Sequence, residues 1–278
     1  NETVITFISG SAGELDWILP VAKNLLASGN QVNISFLKES ARQSFEKNYS
    51  LKLITYKNFF VNEEVLLNES DLRKWQLLTR AYRALRRFSF EIFHEFIDPC
   101  IAFFSHKLFP RVQGLLENEP SSVMVEFPSD SRLLGAILRG NKCKIIYFPH
   151  SPHIYHQDFG KLKNDFVKDH NKSASGLETY LFGTEEDVFA LIKQGWRPEK
   201  KSKILIIGHP KYSKEWIEYF REMTIKEKTV KPFKIAVLSR GIGNFLSRKE
   251  HERLVKAIHQ AITVLSKDFD VRVKLHPR

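Results

Sequence analysis

Thr3 to Ile8 (TVITFI) is β-branched, aromatic and almost continuously apolar, the pattern of a parallel strand buried on both faces. A polar glycine turn follows, Ser9-Gly10-Ser11-Ala12-Gly13-Glu14. Leu15, Ile18, Leu19, Ala22, Leu25 and Leu26 then recur at helical spacing, Gly29 closes the helix, and Gln31 to Leu37 reads as a second strand. This is a βαβ unit, and open sheets made of such units bind ligands at the carboxyl ends of their strands. The turn is suited to that use, because glycine lets a backbone approach a ligand and a helix start offers free N–H groups to anions. A purely structural turn is the rival reading. Its spacing is not GxGxxG, so no dinucleotide site is indicated. Pro20 must sit near the first turn of the helix or kink it.

The same rhythm continues along the chain. Lys38 to Lys47 is expected to be helical, Leu51 to Tyr56 a third strand, and Lys57 to Asn68 a loop. Ser70 is expected to cap a long helix ending near Ile97. Asp98-Pro99 reads as the cap and first residue of the next helix, which turns Ile101, Phe104 and Leu108 inward. Strands are expected at 122–127, 143–148, 179–183 and 203–207, with helices at 131–139, from Thr184 onward and at 213–223. Thr184 with Asp187 resembles a capping box. After the charged stretch 224–232, a strand is expected at 233–238, an amphipathic helix at 247–266 and a strand at 270–275. The fold class is therefore α/β, with an N-terminal domain over 1–228 carrying a helical insertion at about 70–117. A second domain starts at 229 and stops after two strands. Such a half-sheet leaves edges open, so the expectation is a truncated second domain whose remainder lies beyond this sequence.

Composition narrows the partners. The chain has 278 residues, 42% of them hydrophobic, enough for a large core. No apolar run approaches the roughly twenty residues of a spanning helix. Cys100 and Cys143 form no metal or disulfide pattern, so a reducing cytosol is the expected compartment and no metal or cofactor is called for. Lys and Arg number 43 against 32 Asp and Glu, a net charge of +11 that favours anionic partners. The excess is densest at Arg80, Arg83, Arg86 and Arg87, followed by Phe88, Phe90, Phe93, Phe96, Phe103 and Phe104. A core helix pair with a solvated basic face would look like this. So would a surface touching anionic lipid or a lipid-linked acceptor, peripheral to the inner membrane. No recognition helix or RNP motif points to nucleic acid.

Polar clusters gather where the strands end: Gly10, Ser11, Gly13 and Glu14; Glu126 and Asp130; His150 and His153; Gly208, His209 and Lys211; Ser239, Arg240 and Gly241; and His276. In a doubly wound sheet each falls on the carboxyl edge. The motifs SGSAGEL, FPHSP, IGHPK and VKLHP, in this order, resemble GT-B-type bacterial surface-polysaccharide enzymes. CDP-glycerol glycerophosphotransferases, capsule sialyl- and Kdo-transferases and UDP-GlcNAc 2-epimerases share the pattern.

The resemblance implies two Rossmann-type domains facing a cleft and a metal-independent glycosyltransferase of surface polysaccharide or capsule assembly. It would move a sugar from a nucleotide-activated donor to a sugar or lipid-linked acceptor. His150, Glu126 or Asp130 would serve as base. Ser239, Arg240, Gly241 and His276 would hold the donor phosphate. Gly10, Ser11, Gly13, Glu14, His153, His209 and Lys211 would line the acceptor side. The chain has Phe-Pro-His-Ser-Pro where relatives have Trp-His-Gly-Thr-Pro, and it lacks the His-Val-Glu-Ala-Gly segment of the epimerases. Epimerisation and glycerol-phosphate transfer are the enzymatic alternatives, and a non-catalytic polyanion-binding module is a further one.

Overall fold

The computed structural model describes residues 2–88, 91–118, 120–127, 132–149, 178–193, 202–224, 234–238 and 247–274. The chain forms two compact units, Asn1–Thr224 and Ile225–Arg278.

The first unit is built on a seven-stranded parallel sheet. Its strands are β1 (Thr3–Ile8), β2 (Gln31–Phe36), β3 (Phe60–Val61), β4 (Ser122–Glu126), β5 (Ile145–Phe148), β6 (Glu178–Phe182) and β7 (Lys203–Ile206), in the order β3-β2-β1-β4-β5-β6-β7. The order reverses between β1 and β4, which pair from Val4 opposite Ser122 to Phe7 opposite Val125. That reversal is the place where an open α/β sheet forms its ligand crevice.

Alternate side chains of each strand feed two cores. Val4, Ile8, Met124, Phe148 and Leu181 meet α1 (Gly13–Ala27), α2 (Glu39–Glu46) and α3 (Tyr49–Asn58) on one face. Ile5, Phe7, Val123, Val125, Tyr147 and Phe182 meet the other layer. That layer holds α4 (Glu69–Phe88), α5 (Glu91–Leu108), α6 (Pro110–Leu116), α7 (Arg132–Gly140) and α8 (Glu185–Lys193). After β7 a 3-10 turn (Pro210–Tyr212) leads to α9 (Lys214–Thr224), whose Trp216 joins the α1 side.

Four expectations are corrected. Residues 51–56 are not a strand but the body of α3, because Leu51, Ile54 and Thr55 are buried at helical spacing and the Asn48 side chain accepts the Leu51 N–H as a cap. The third strand is instead the short β3, inside the stretch read as loop. The helix read as running to Ile97 ends at Phe88, and α5 begins at Glu91. Pro99 does not open a helix; it lies within α5, where it is exposed. Ile101 turns inward as expected, but Phe104 is exposed.

The helix α1 runs through Pro20, and Gly29 follows it with φ 85°, the left-handed turn that glycine takes without strain. Gly140, at the end of α7, serves a different purpose. A Cβ there would collide with the Asp98 carbonyl and the Ala102 side chain of α5, so glycine lets the two helices touch. Arg139 beside it is inserted among buried partners. Its Nε donates to Asp98 Oδ2 at 2.6 Å, Nη1 to Glu178 Oε1 at 3.3 Å and Nη2 to the Tyr82 hydroxyl at 3.1 Å. The Tyr82 hydroxyl donates to Asp98, and the hydroxyls of Tyr147 and Tyr180 donate to Glu178. Burial, and then the Glu178 charge, push the Tyr147 hydroxyl well above its ordinary range. This network fastens the α4–α5 hairpin to the sheet.

The second unit pairs β8 (Lys234–Leu238) with β9 (Asp270–Lys274) in parallel across α10 (Arg248–Leu265). The Ser247 side chain accepts the Glu250 N–H, and Glu250 accepts the Ser247 N–H, a complete capping box that fixes the start of α10.

Candidate functional site

All strands of the first unit are parallel, so their carboxyl ends share one edge. At the reversal point this edge carries two buried carboxylates. Glu126 is the last residue of β4, and Glu14 is in the first turn of α1, directly beyond β1. A Cβ built on Gly10 would lie 2.9 Å from Glu14 Oε1 and 3.9 Å from Glu126 Oε2, so the two side chains flank this one exposed glycine. A side chain at Gly10 would displace a carboxylate and close the approach to the pair.

The turn around Gly10 does not offer its N–H groups to solvent. Ser9 N–H donates to Glu14 Oε2 at 2.8 Å and Ser11 N–H to Oε1 at 2.9 Å, while Gly10 N–H closes on the same oxygen. The sequence reading expected these donors to be free for an anionic ligand. Instead the chain's own carboxylate fills the anion nest. The sequence carried the signal as Ser11-Ala12-Gly13-Glu14, a Ser-x-x-Glu spacing in which the glutamate reaches back to the start of its helix.

Burial pushes the Glu14 carboxyl up to about 7, and the Glu126 charge adds to this against the three N–H donors. Glu14 therefore gains and loses its proton near neutral pH, with a second buried carboxylate beside it. Such a pair can take a proton from a hydroxyl or carbon and hold one ready to return.

Further along the edge, His209 lies against the backbone of Gly183, where a Cβ would collide with its ring. Its Nε2 is 3.8 Å from Asp187 Oδ2, and its Nδ1 is buried with no hydrogen-bond partner among the described residues. Asp187 Oδ2 accepts the Thr184 N–H at 3.0 Å, and Thr184 Oγ1 accepts the Asp187 N–H, the reciprocal cap expected from sequence. Lys211 Nζ reaches Asp16 Oδ2 at 3.8 Å, which ties the loop after β7 to the first turn of α1. Gly10, Ser11, Gly13, Glu14, Glu126, His209 and Lys211 are thus gathered on one edge. Asp130, His150, His153, Ser239, Arg240, Gly241 and His276 lie outside the described residues. Among the described residues no three His, Cys, Asp or Glu side chains converge as metal ligands. A groove of about 540 Å³ lies elsewhere, along the C-terminal half of α1 against Pro210 and Trp216.

No protein-family profile matches the chain, and a search of curated proteins finds no match. Solved structures do resemble it. UDP-N-acetylglucosamine 2-epimerase from Rickettsia bellii is matched over 100% of this chain and 63% of its own, with a TM-score of 0.53 and 14% identity. The S. aureus MnaA–UDP co-structure is matched over 100% and 63%, with a TM-score of 0.50 and 13% identity. Anabaena HepE in complex with UDP-glucose is matched over 100% and 70%, with a TM-score of 0.46 and 11% identity. This chain spans 63% of the length of the first two. The likeness is one of fold, and the fold is the GT-B-like α/β architecture that the strand-end motifs implied.

Proposed function

We propose that this protein is a glycosyltransferase that moves a sugar from a nucleotide-activated donor to an acceptor in surface polysaccharide or capsule biosynthesis. The observation that carries the reading is the carboxylate pair Glu14–Glu126 at the reversal point of the sheet, with Glu14 held near neutrality. Glu126 takes the proton of the acceptor hydroxyl as its oxygen attacks the anomeric carbon, and the bond to the nucleotide phosphate breaks. His150, two residues beyond β5 in sequence, is the second base candidate, since Phe148 of β5 stands opposite Glu126 in register. Ser239-Arg240-Gly241 directly follow β8 in sequence and His276 comes two residues after β9; in this reading they neutralise the leaving phosphate. The MnaA structure was determined with UDP and the HepE structure with UDP-glucose, which makes uridine nucleotides the first donors to try.

Epimerisation is the second reading. A glutamate that titrates near neutral pH beside a second buried carboxylate also suits removal and return of a carbon-bound proton. Incubation with UDP-glucose, UDP-GlcNAc, CMP-sugars and CDP-glycerol, with and without sugar acceptors, separates the two. Acceptor-dependent release of nucleotide supports transfer. Acceptor-independent interconversion of the sugar, or release of glycerol phosphate to the acceptor, would replace it.

A further inference from the structure

The helical hairpin α4–α5 turns one side of each helix to the core and presents the other to solvent. On α4, Asp71, Trp75 and Tyr82 are buried, while Arg73, Leu77 and Arg80 are exposed. On α5, Asp98, Ile101, Ala102 and Ser105 are buried, while Phe96, Phe103, Phe104 and Lys107 are exposed. The exposed aromatics are far from marginal: Phe96 is 65% exposed, Phe103 64% and Phe104 56%, with Leu77 at 64%. Phe103 and Phe104 touch edge to face, 5.9 Å between ring centres. Tyr82 and Asp98 bind one another and Arg139, so the two helices join through their buried sides and leave the faces named above to solvent.

We infer that this face docks on an anionic bilayer surface, with Phe96, Phe103, Phe104 and Leu77 entering the headgroup boundary and Arg73, Arg80 and Lys107 meeting lipid phosphates. Charge selects the occupant. A second copy of the chain would bring the same cations against themselves, on a protein already at +11, whereas an anionic leaflet attracts each of them. Aromatic side chains beside Lys and Arg are the composition of interfacial helices. No helix among the described residues is long and apolar enough to cross a membrane, and a docking face needs none.

The test is sedimentation of the chain with vesicles of phosphatidylglycerol and phosphatidylcholine, against pure phosphatidylcholine, without donor or acceptor. Binding to the anionic vesicles alone is expected. The triple variant R73Q/R80Q/K107Q should weaken it by about fivefold per cation, roughly a hundredfold in all. The triple variant F96S/F103S/F104S should weaken binding to the anionic vesicles by about tenfold or more at low salt, because the rings no longer enter the headgroup boundary. Both variants alter exposed side chains, so unchanged thermal melts check that they fold. No sedimentation with anionic vesicles, or equal sedimentation of wild type and both variants, overturns the inference. So does a solution dimer that the phenylalanine variant dissociates while vesicle binding stays intact. Since no donor is present, any of these results leaves the transfer reading standing.

Discussion

Glu14 and Glu126 both bring a carboxylate oxygen toward Gly10, one from the first turn of α1 and the other from the last residue of β4. They come from opposite sides of the point where strand order reverses, and the Glu126 charge adds to the burial that makes Glu14 costly to ionise. Replacing Glu126 by Gln keeps the shape and removes the charge. The Glu14 carboxyl should then titrate lower, and turnover should fall by about 10²–10⁴-fold, the usual contribution of a general base. A pH–rate profile checks both at once. Turnover within threefold of wild type would move the base to another residue, with His150→Ala the next variant.

The folded Glu14 titrates near 7 against 4.5 for an unperturbed glutamate, so the folded state holds this proton more tightly than the unfolded chain. Its contribution to stability is complete below about pH 4.5 and is lost as pH rises through 7. The loss is on the order of 3 kcal/mol at most. Thermal melts between pH 5 and 8 should show a falling midpoint. Glu14→Gln should flatten that slope while costing stability at pH 5, because one loop N–H then loses its acceptor. An unchanged slope in the variant would mean that another group governs it.

Arg139 neutralises Asp98 and Glu178 in a largely buried site. Arg139→Met should cost about 3–5 kcal/mol, because it leaves two buried carboxylates without their cation. Denaturant unfolding measures it. A loss under 1 kcal/mol would show that the network holds little of the hairpin's attachment.

Gly183 gives the His209 ring its seat. Gly183→Ala should expel the imidazole and separate it from Asp187, at a stability cost of about 1–3 kcal/mol, as overpacking usually brings. The readout is the chemical shift of the His209 ring, which should move toward that of a solvent-exposed histidine. A resonance identical to wild type would mean that the backbone yields instead.

The parallel sheet was legible because its strands are short, apolar and bounded by Gly, Pro and polar clusters, as in 3–8, 122–126 and 178–182. The misread stretch 51–56 has the strand composition Leu-Lys-Leu-Ile-Thr-Tyr. There burial at positions 51, 54 and 55 and the Asn48 cap outweighed β propensity. Pro99 misled in the same way, since tertiary packing around Asp98 holds the helix through it. At the candidate site, composition located both glutamates on the carboxyl edge. It did not reveal that Glu14 would occupy the nest of its own turn, because whether N–H groups are free depends on where one side chain folds back.

The pairing of β1 with β4 joins Val4 to Ser122 across the whole hairpin insertion, while β1 and β2 pair within one βαβ unit. Closing so long a loop is costly in entropy before its contacts repay it, so local pairs form first. During refolding, pulse-labelled amides of β2 should become protected before those of β4. Glu14 then waits in a preformed turn until β4 docks against β1, and only that long-range pairing sets Glu126 beside it.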